Sequence, residues 1–183
     1  MNKIGTKTIE TDSLILRQFT IEDAHDMFSN WASDPEVTKY LTWPAHQDEA
    51  FTKTLLSEWI ENYQDGTYFN WAMELKDTSA VIGNISVVHL DEKIEGAEIG
   101  YCMSRACWGK ELMPEALKAV MNFLFDEVGL NLVAAYHDSR NPKSGRVMDK
   151  AGMKYEGTLR AAAINNQGIS DRVYHAMIRS DRL

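Results

Sequence analysis

The spacing of apolar residues changes several times along the chain, and each change marks an element. Leu14, Ile15, Leu16 and Phe19 give residues 13–19 the mixed apolar and polar character of a first strand. Ala24, Met27, Phe28 and Trp31 then recur at i, i+3, i+4 and i+7, the stripe of a helix that opens on a Thr20/Asp23 capping pattern and stops at Asp34-Pro35. Phe51, Leu55, Leu56, Trp59, Ile60 and Tyr63 keep the same period in a second helix, from near Asp48 to Gly66. Between the two lies the aromatic connector Tyr40-Leu41-Thr42-Trp43-Pro44-Ala45-His46, whose proline keeps it from being helical. Tyr40 and Trp43 there either line a substrate mouth or cap the core from a loop.

From residue 68 the period drops to two. Phe69, Trp71, Met73 and Leu75 alternate with Tyr68, Asn70, Ala72 and Glu74, a polar turn follows, and a second run covers 80–90. A further turn leads to a strand at 97–103, so three successive strands are expected to be antiparallel. On the last of them Glu98, Gly100 and Cys102 share one face, and Ile99, Tyr101 and Met103 the other. Leu117, Val120, Met121, Leu124 and Val128 then form a helical stripe that Gly129 ends. A strand at 131–137, a short helix opened by Asn141-Pro142 and closed at Gly152, and two strands at 155–162 and 171–178 complete the chain. The turn Asn165-Asn166-Gln167-Gly168 separates the last two.

Composition narrows the class. With 183 residues and 44% apolar composition, a single domain over 1–183 with its own core is expected. The net charge of −8 argues against nucleic acid as partner and suits a cationic one better. No secretory h-region and no run of about 18 apolar residues is present, which predicts a cytoplasmic protein without a membrane partner. Cys102 and Cys107 read as reduced thiols, and the five dispersed histidines form no ligand pattern, so no metal is expected.

The junction at 101–116 carries the clearest chemistry. A strand runs into a loop at Gly109 and then into a helix with Pro114 in its first turn, so unpaired N–H groups and a helix dipole of about half a positive charge would face an anion. Arg105 and Lys110 add charge nearby, while GxGxxG and GxxxxGK[ST] are both absent.

The order of these pieces resembles the GCN5-related N-acetyltransferases (GNAT), and among them the RimJ/RimL type. The resemblance runs from Asp12-Ser13-Leu14-Ile15-Leu16-Arg17 through Tyr40-Leu41-Thr42-Trp43, Ile99-Gly100-Tyr101, Trp108-Gly109, Glu115-Ala116, Asn141-Pro142-Lys143-Ser144 and Ala151-Gly152-Met153. It continues through Glu156-Gly157-Thr158-Leu159-Arg160 to Asp171 and Tyr174. It implies an α/β (α+β mixed) fold: a mostly antiparallel sheet of about seven strands flanked by four helices, with the fourth and fifth strands splayed. Acetyl-CoA would lie in that splay as co-substrate. Its pantetheine arm would pair with Tyr101, Cys102 and Met103, and its pyrophosphate would rest on the amides of Gly109, Lys110, Glu111, Leu112 and Met113, with Asn141 contacting the arm.

Glu111 departs from the family, which usually has a second Gly or Ala there; its carboxylate must point to solvent or pair with Lys110. Ser144 matches the serine proposed to protonate the coenzyme thiolate, and its alternative is an ordinary first-turn serine. Glu98, on the cleft strand, is the candidate base and acceptor contact, directly or through water, or else a plain strand carboxylate. The acidic residue that some ribosomal-protein acetyltransferases are thought to use falls in Ala161-Ala162-Ala163, so that base does not carry over. The acceptor would be a polypeptide N-terminus, an amino acid or a small amine. The alternative is a coenzyme-binding sensor without turnover, and either a monomer or a homodimer fits.

Overall fold

A computed structural model describes residues 1–182. Eight strands form one continuous sheet in the order β1-β2-β3-β4-β5-β6-β8-β7. They are β1 (Ile9–Glu10), β2 (Leu14–Arg17), β3 (Asn70–Leu75), β4 (Val81–Asp91), β5 (Gly96–Met103), β6 (Leu132–Asp138), β7 (Lys154–Asn165) and β8 (Gly168–Ile178). Every neighbouring pair is antiparallel except β5 with β6. The mixed, mostly antiparallel sheet expected from the sequence is therefore present, with the two-residue β1 as the additional strand.

Five α-helices flank it: α1 (Ala24–Met27), α2 (Pro35–Thr38), α3 (Glu49–Asn62), α4 (Leu112–Phe123) and α5 (Pro142–Lys150). α2 is the one the sequence reading did not expect. Asp34 accepts from the Glu36 N–H at 2.9 Å and Pro35 takes the first helical position, so the pair that stops one helix also starts the next. α1 and α4 each continue into a turn of π-helix, Phe28–Ala32 and Leu124–Val128, which carry the predicted stripes on to Trp31 and Val128. Gly129, at φ 88°, ends the second.

Each face of the sheet has its own core. On one, β-residues such as Trp71, Ile85, Ile99 and Val133 pack against α4 and Met148 of α5. On the other, Phe19, Met27, Trp31 and Leu56 pack against Ala72 and Val81. The register of β4 on β5 shifts between Val87 and His89, a bulge at Val88. A Cβ on Gly100 would lie 2.9 Å from Val88 Cγ1, so the bulge fits only over a glycine. A bulge bends the strand that carries it and steepens the local twist. Here it sits beside the point where β5 leaves β6.

Candidate active site

β5 and β6 pair only at Gly96↔Leu132, Ala97↔Val133 and Glu98↔Ala134. Beyond Ala134, β6 stays paired with β8 as far as Asp138, while Ile99 to Met103 stay paired with β4 alone. One backbone edge of β5 is thus left open, and it borders a cavity of about 520 Å³, within the range of small-molecule sites. Tyr101, Cys102, Met103, Gly109, Glu111, Leu112, Met113, Asn141, Ser144 and Tyr40 all line this cavity. Lys110, Trp43 and Glu98 do not: Lys110 is exposed, and Trp43 packs against His46 with ring centroids 5.3 Å apart.

At one end the chain turns through Gly109 (φ 77°) and enters α4 at Glu111, which is itself left-handed at φ 61°. That conformation costs a residue with a side chain about 1–2 kcal/mol, so Glu111 differs from a glycine there in backbone energy as well as in charge, and from an alanine in charge. The first-turn N–H groups of Leu112 and Met113 lie at the helix start beside the cavity, where they have no partner within the helix. The sequence reading left the Glu111 carboxylate to solvent or to Lys110; in the structure it is exposed, and its partner is Lys150 of α5, whose Nζ donates to Oε1. α5 faces α4 across the cavity, whereas Lys110 is directed to solvent. Lys143 and Arg146 line the same wall, and Lys143 Nζ lies 5.1 Å from the Trp108 ring centroid. Sequence reasoning missed this basic row, although the spacing 143, 146, 150 places the three on one helix face.

Ser144 occupies the first turn of α5, opposite Tyr101. The Tyr101 hydroxyl lies 3.0 Å from the Ser144 carbonyl oxygen and 3.0 Å from Ser144 Oγ. It has one proton and the carbonyl can only accept, so Tyr101 donates there and Ser144 Oγ–H donates to the phenol oxygen. Burial holds the Tyr101 phenol well above its ordinary range. α5 can come this close because of Gly145: a Cβ there would meet His137 Nε2 of β6 at 2.6 Å. Cys102 donates through Sγ to Asn84 Oδ1 at 2.9 Å, and burial pushes its thiol up to about 12, so it offers its backbone rather than a nucleophile.

The opposite wall is built from α2 and the connector (Glu36, Val37, Tyr40, Leu41, Thr42), from the end of β7 (Ala163, Ile164, Asn165) and from Tyr136 and Asp138 of β6. Arg140 and Asn165 both donate to the Asp138 carboxylate, which holds it far below the usual carboxylate range. Glu98 is half-buried on the face opposite Tyr101. Its negative charge acts on Tyr136 and Arg172, and the Arg172 guanidinium lies over the Tyr136 ring at 4.3 Å.

Residues 13–154 match the family described as acetyltransferase (GNAT) domain, most of the chain. This chain belongs to the GNAT acetyltransferase family. The chain is also 30% identical over 171 residues to the uncharacterized N-acetyltransferase YoaA of Bacillus subtilis (strain 168), covering 93% of this chain and 96% of that one. The ribosomal-protein-S5-alanine acetyltransferase of Vibrio fischeri shares the fold at TM-score 0.84 with 19% identity, over 96% and 98% of the two chains. So does the microcin C7 self-immunity acetyltransferase MccE, solved with acetyl-CoA and AMP, at TM-score 0.83 and 18% identity over 92% and 93%. The GNAT recognition and the fold class read from the sequence are borne out.

The protein is an acetyl-CoA-dependent N-acetyltransferase. Among the described residues of this acetyltransferase, no helix is long and apolar enough to cross a membrane, and no three His, Cys, Asp or Glu side chains are grouped to hold a metal ion.

Proposed function

We propose that this acetyltransferase passes the acetyl group directly from acetyl-CoA to a primary amine in a ternary complex, with Ser144 protonating the departing thiolate. The observation that carries this reading is the Tyr101–Ser144 hydroxyl pair, 3.0 Å apart, in the open half of the β5–β6 cleft. The pantetheine arm lies along Tyr101, Cys102 and Met103 as an added strand, near Asn141, and the pyrophosphate rests over the 109–113 amides. Lys143 and Arg146 face the coenzyme phosphates, and Lys150 neutralises Glu111 beside them.

The amine nitrogen attacks the thioester carbonyl carbon, and the C–S bond breaks as the tetrahedral intermediate collapses. The Ser144 Oγ–H turns from the Tyr101 oxygen to sulfur and gives up its proton there, nitrogen gives one up, and water restores the serine, so the net transfer is one proton from nitrogen to sulfur. Tyr101, held protonated by burial, keeps the Ser144 hydroxyl in place. Glu98 takes the amine proton through a water, since its own side chain stands off the cavity wall. Deprotonating an alkyl amine at pH 7 costs about 4–5 kcal/mol, and an α-amine only about 1 kcal/mol, so an alkyl amine acceptor asks more of Glu98.

Thiol release from acetyl-CoA across peptides, amino acids, polyamines and aminoglycosides tests the reading, with Ser144→Ala beside the native protein. A loss of about 10²-fold in kcat with little change in KM is expected for the variant. Unchanged kcat would remove Ser144 as the acid.

A further inference from the structure

The acceptor side of the cavity is roofed by two segments far apart in sequence, residues 40–42 of the connector and residues 163–165 at the end of β7. One residue ties them together. Asn166, in the β7–β8 turn, donates from Nδ2 to the Thr38 carbonyl at 2.9 Å and to the Trp43 carbonyl at 2.8 Å, while its backbone N–H donates to the Leu41 carbonyl at 3.1 Å. Both hydrogens of its amide are therefore spent on the connector. On the other side, Asn165 Nδ2 donates to Asp138 Oδ2 at 2.7 Å, and Arg140 Nη1 reaches the Gln167 carbonyl at 3.3 Å. The hairpin tip thus spans the mouth from the end of β6 to the connector.

We propose that Asn166 is a positioning residue that keeps this span closed, and that the span selects small free amines over amines carried by a polypeptide. This rests on the acceptor side assigned under Proposed function. The whole cleft, coenzyme loop included, holds about 520 Å³, so with the coenzyme in it only a small part is left for the acceptor under the hairpin and the connector. An extended peptide occupying that space has to leave it through the region that the hairpin and the connector close. Exposed Glu36 at the same mouth, with the net charge of −8, favours a cationic amine.

Asn166 is exposed, so its replacement leaves the core intact. Asn166→Ala removes two hydrogen bonds, and Asn166→Asp turns a carboxylate oxygen against two carbonyls. Hydrogen–deuterium exchange over residues 38–43 is expected to speed up by about tenfold in the alanine variant and more in the aspartate variant. In thiol-release assays the native protein is expected to use amino-acid amides and polyamines at least about tenfold better in kcat/KM than ten-residue peptides. Both variants should narrow that ratio by lowering KM for the peptides, with kcat for the small amines held. Unchanged exchange in both variants overturns the bridge whatever the acceptor is. Equal use of peptides and small amines by the native protein, or a ratio that the variants leave alone, overturns the size selection. Neither readout involves Ser144, so failure here is distinct from failure of the proposed mechanism.

Discussion

The two halves of the β5–β6 pair do opposite work. Over residues 96–98 the strands are hydrogen-bonded in parallel, and Ala97 and Val133 are buried in the core beneath them. From the next residue, Ile99, the same strand has one partner instead of two, and what faces its free edge is a cavity with Ser144, Asn141 and a helix start around it. The closed half is held by burial and backbone pairing, which any apolar alternating strand can supply. The open half leaves backbone groups unpaired, and such groups are tolerated where solvent or a ligand meets them. Stability and binding are thus separated along a single strand, and the Val88 bulge over Gly100 lies between them.

The largest expected effect comes from forcing the open half wider. Gly145→Val drives a side chain into His137, which should cost about 2 kcal/mol in a denaturant or thermal melt. By moving Ser144 off Tyr101 it should also lower kcat/KM for thiol release by about 10²-fold. Native activity in a variant of that kind would show that the Tyr101–Ser144 geometry does not matter. A smaller effect isolates the charge of the open half. Lys150→Ala leaves the Glu111 carboxylate unneutralised beside the proposed pyrophosphate site, so KM for acetyl-CoA should rise by about fivefold while kcat and melting temperature hold, because an exposed pair contributes at most about 1 kcal/mol. Adding Glu111→Gly removes the charge and the left-handed strain together and should restore KM; a KM that stays high would instead assign Lys150 a direct phosphate contact.

The smallest effect is on pH dependence. His137, at the open end of β6, has its pKa pushed below 6.5, chiefly because burial disfavours the charged ring. The unfolded chain then binds more protons than the folded one as pH falls from 6.5 through the folded value, so stability should decline over that window and level off below it. His46, buried and 2.8 Å from Thr52, shifts the same way. Melting temperatures between pH 7.5 and roughly 4.5 in the native protein and in His137→Gln should differ in slope by up to about one proton. Identical slopes would mean that His137 becomes protonated without opening the fold.

Much of this was legible in the chain, for reasons that can be named. The buried stripes of α3 and α4, the alternation of β3 and the loop at Gly109 follow from local periodicity and backbone preference, so they could be read off Phe51 to Tyr63, Leu117 to Val128 and Phe69 to Leu75. Pro35 misled because proline both ends one helix and begins another, and only the Asp34 cap shows which it does. Glu111 was recognisable as a departure, but its partner was not: Lys110 is next in sequence, whereas Lys150 arrives from a helix whose placement depends on Gly145 and His137. Ser144 could be picked out by resemblance, yet its bond to Tyr101 joins residues 43 positions apart. Asn166 read as a turn residue because its three bonds reach back more than 120 positions. The sequence by itself determined most of the elements, their order and the helix start after Gly109, since these depend on neighbours within a few residues. The splay, the Glu111 partner and the closed roof were decided by tertiary structure alone, because each is a contact between segments whose meeting depends on how the whole sheet twists.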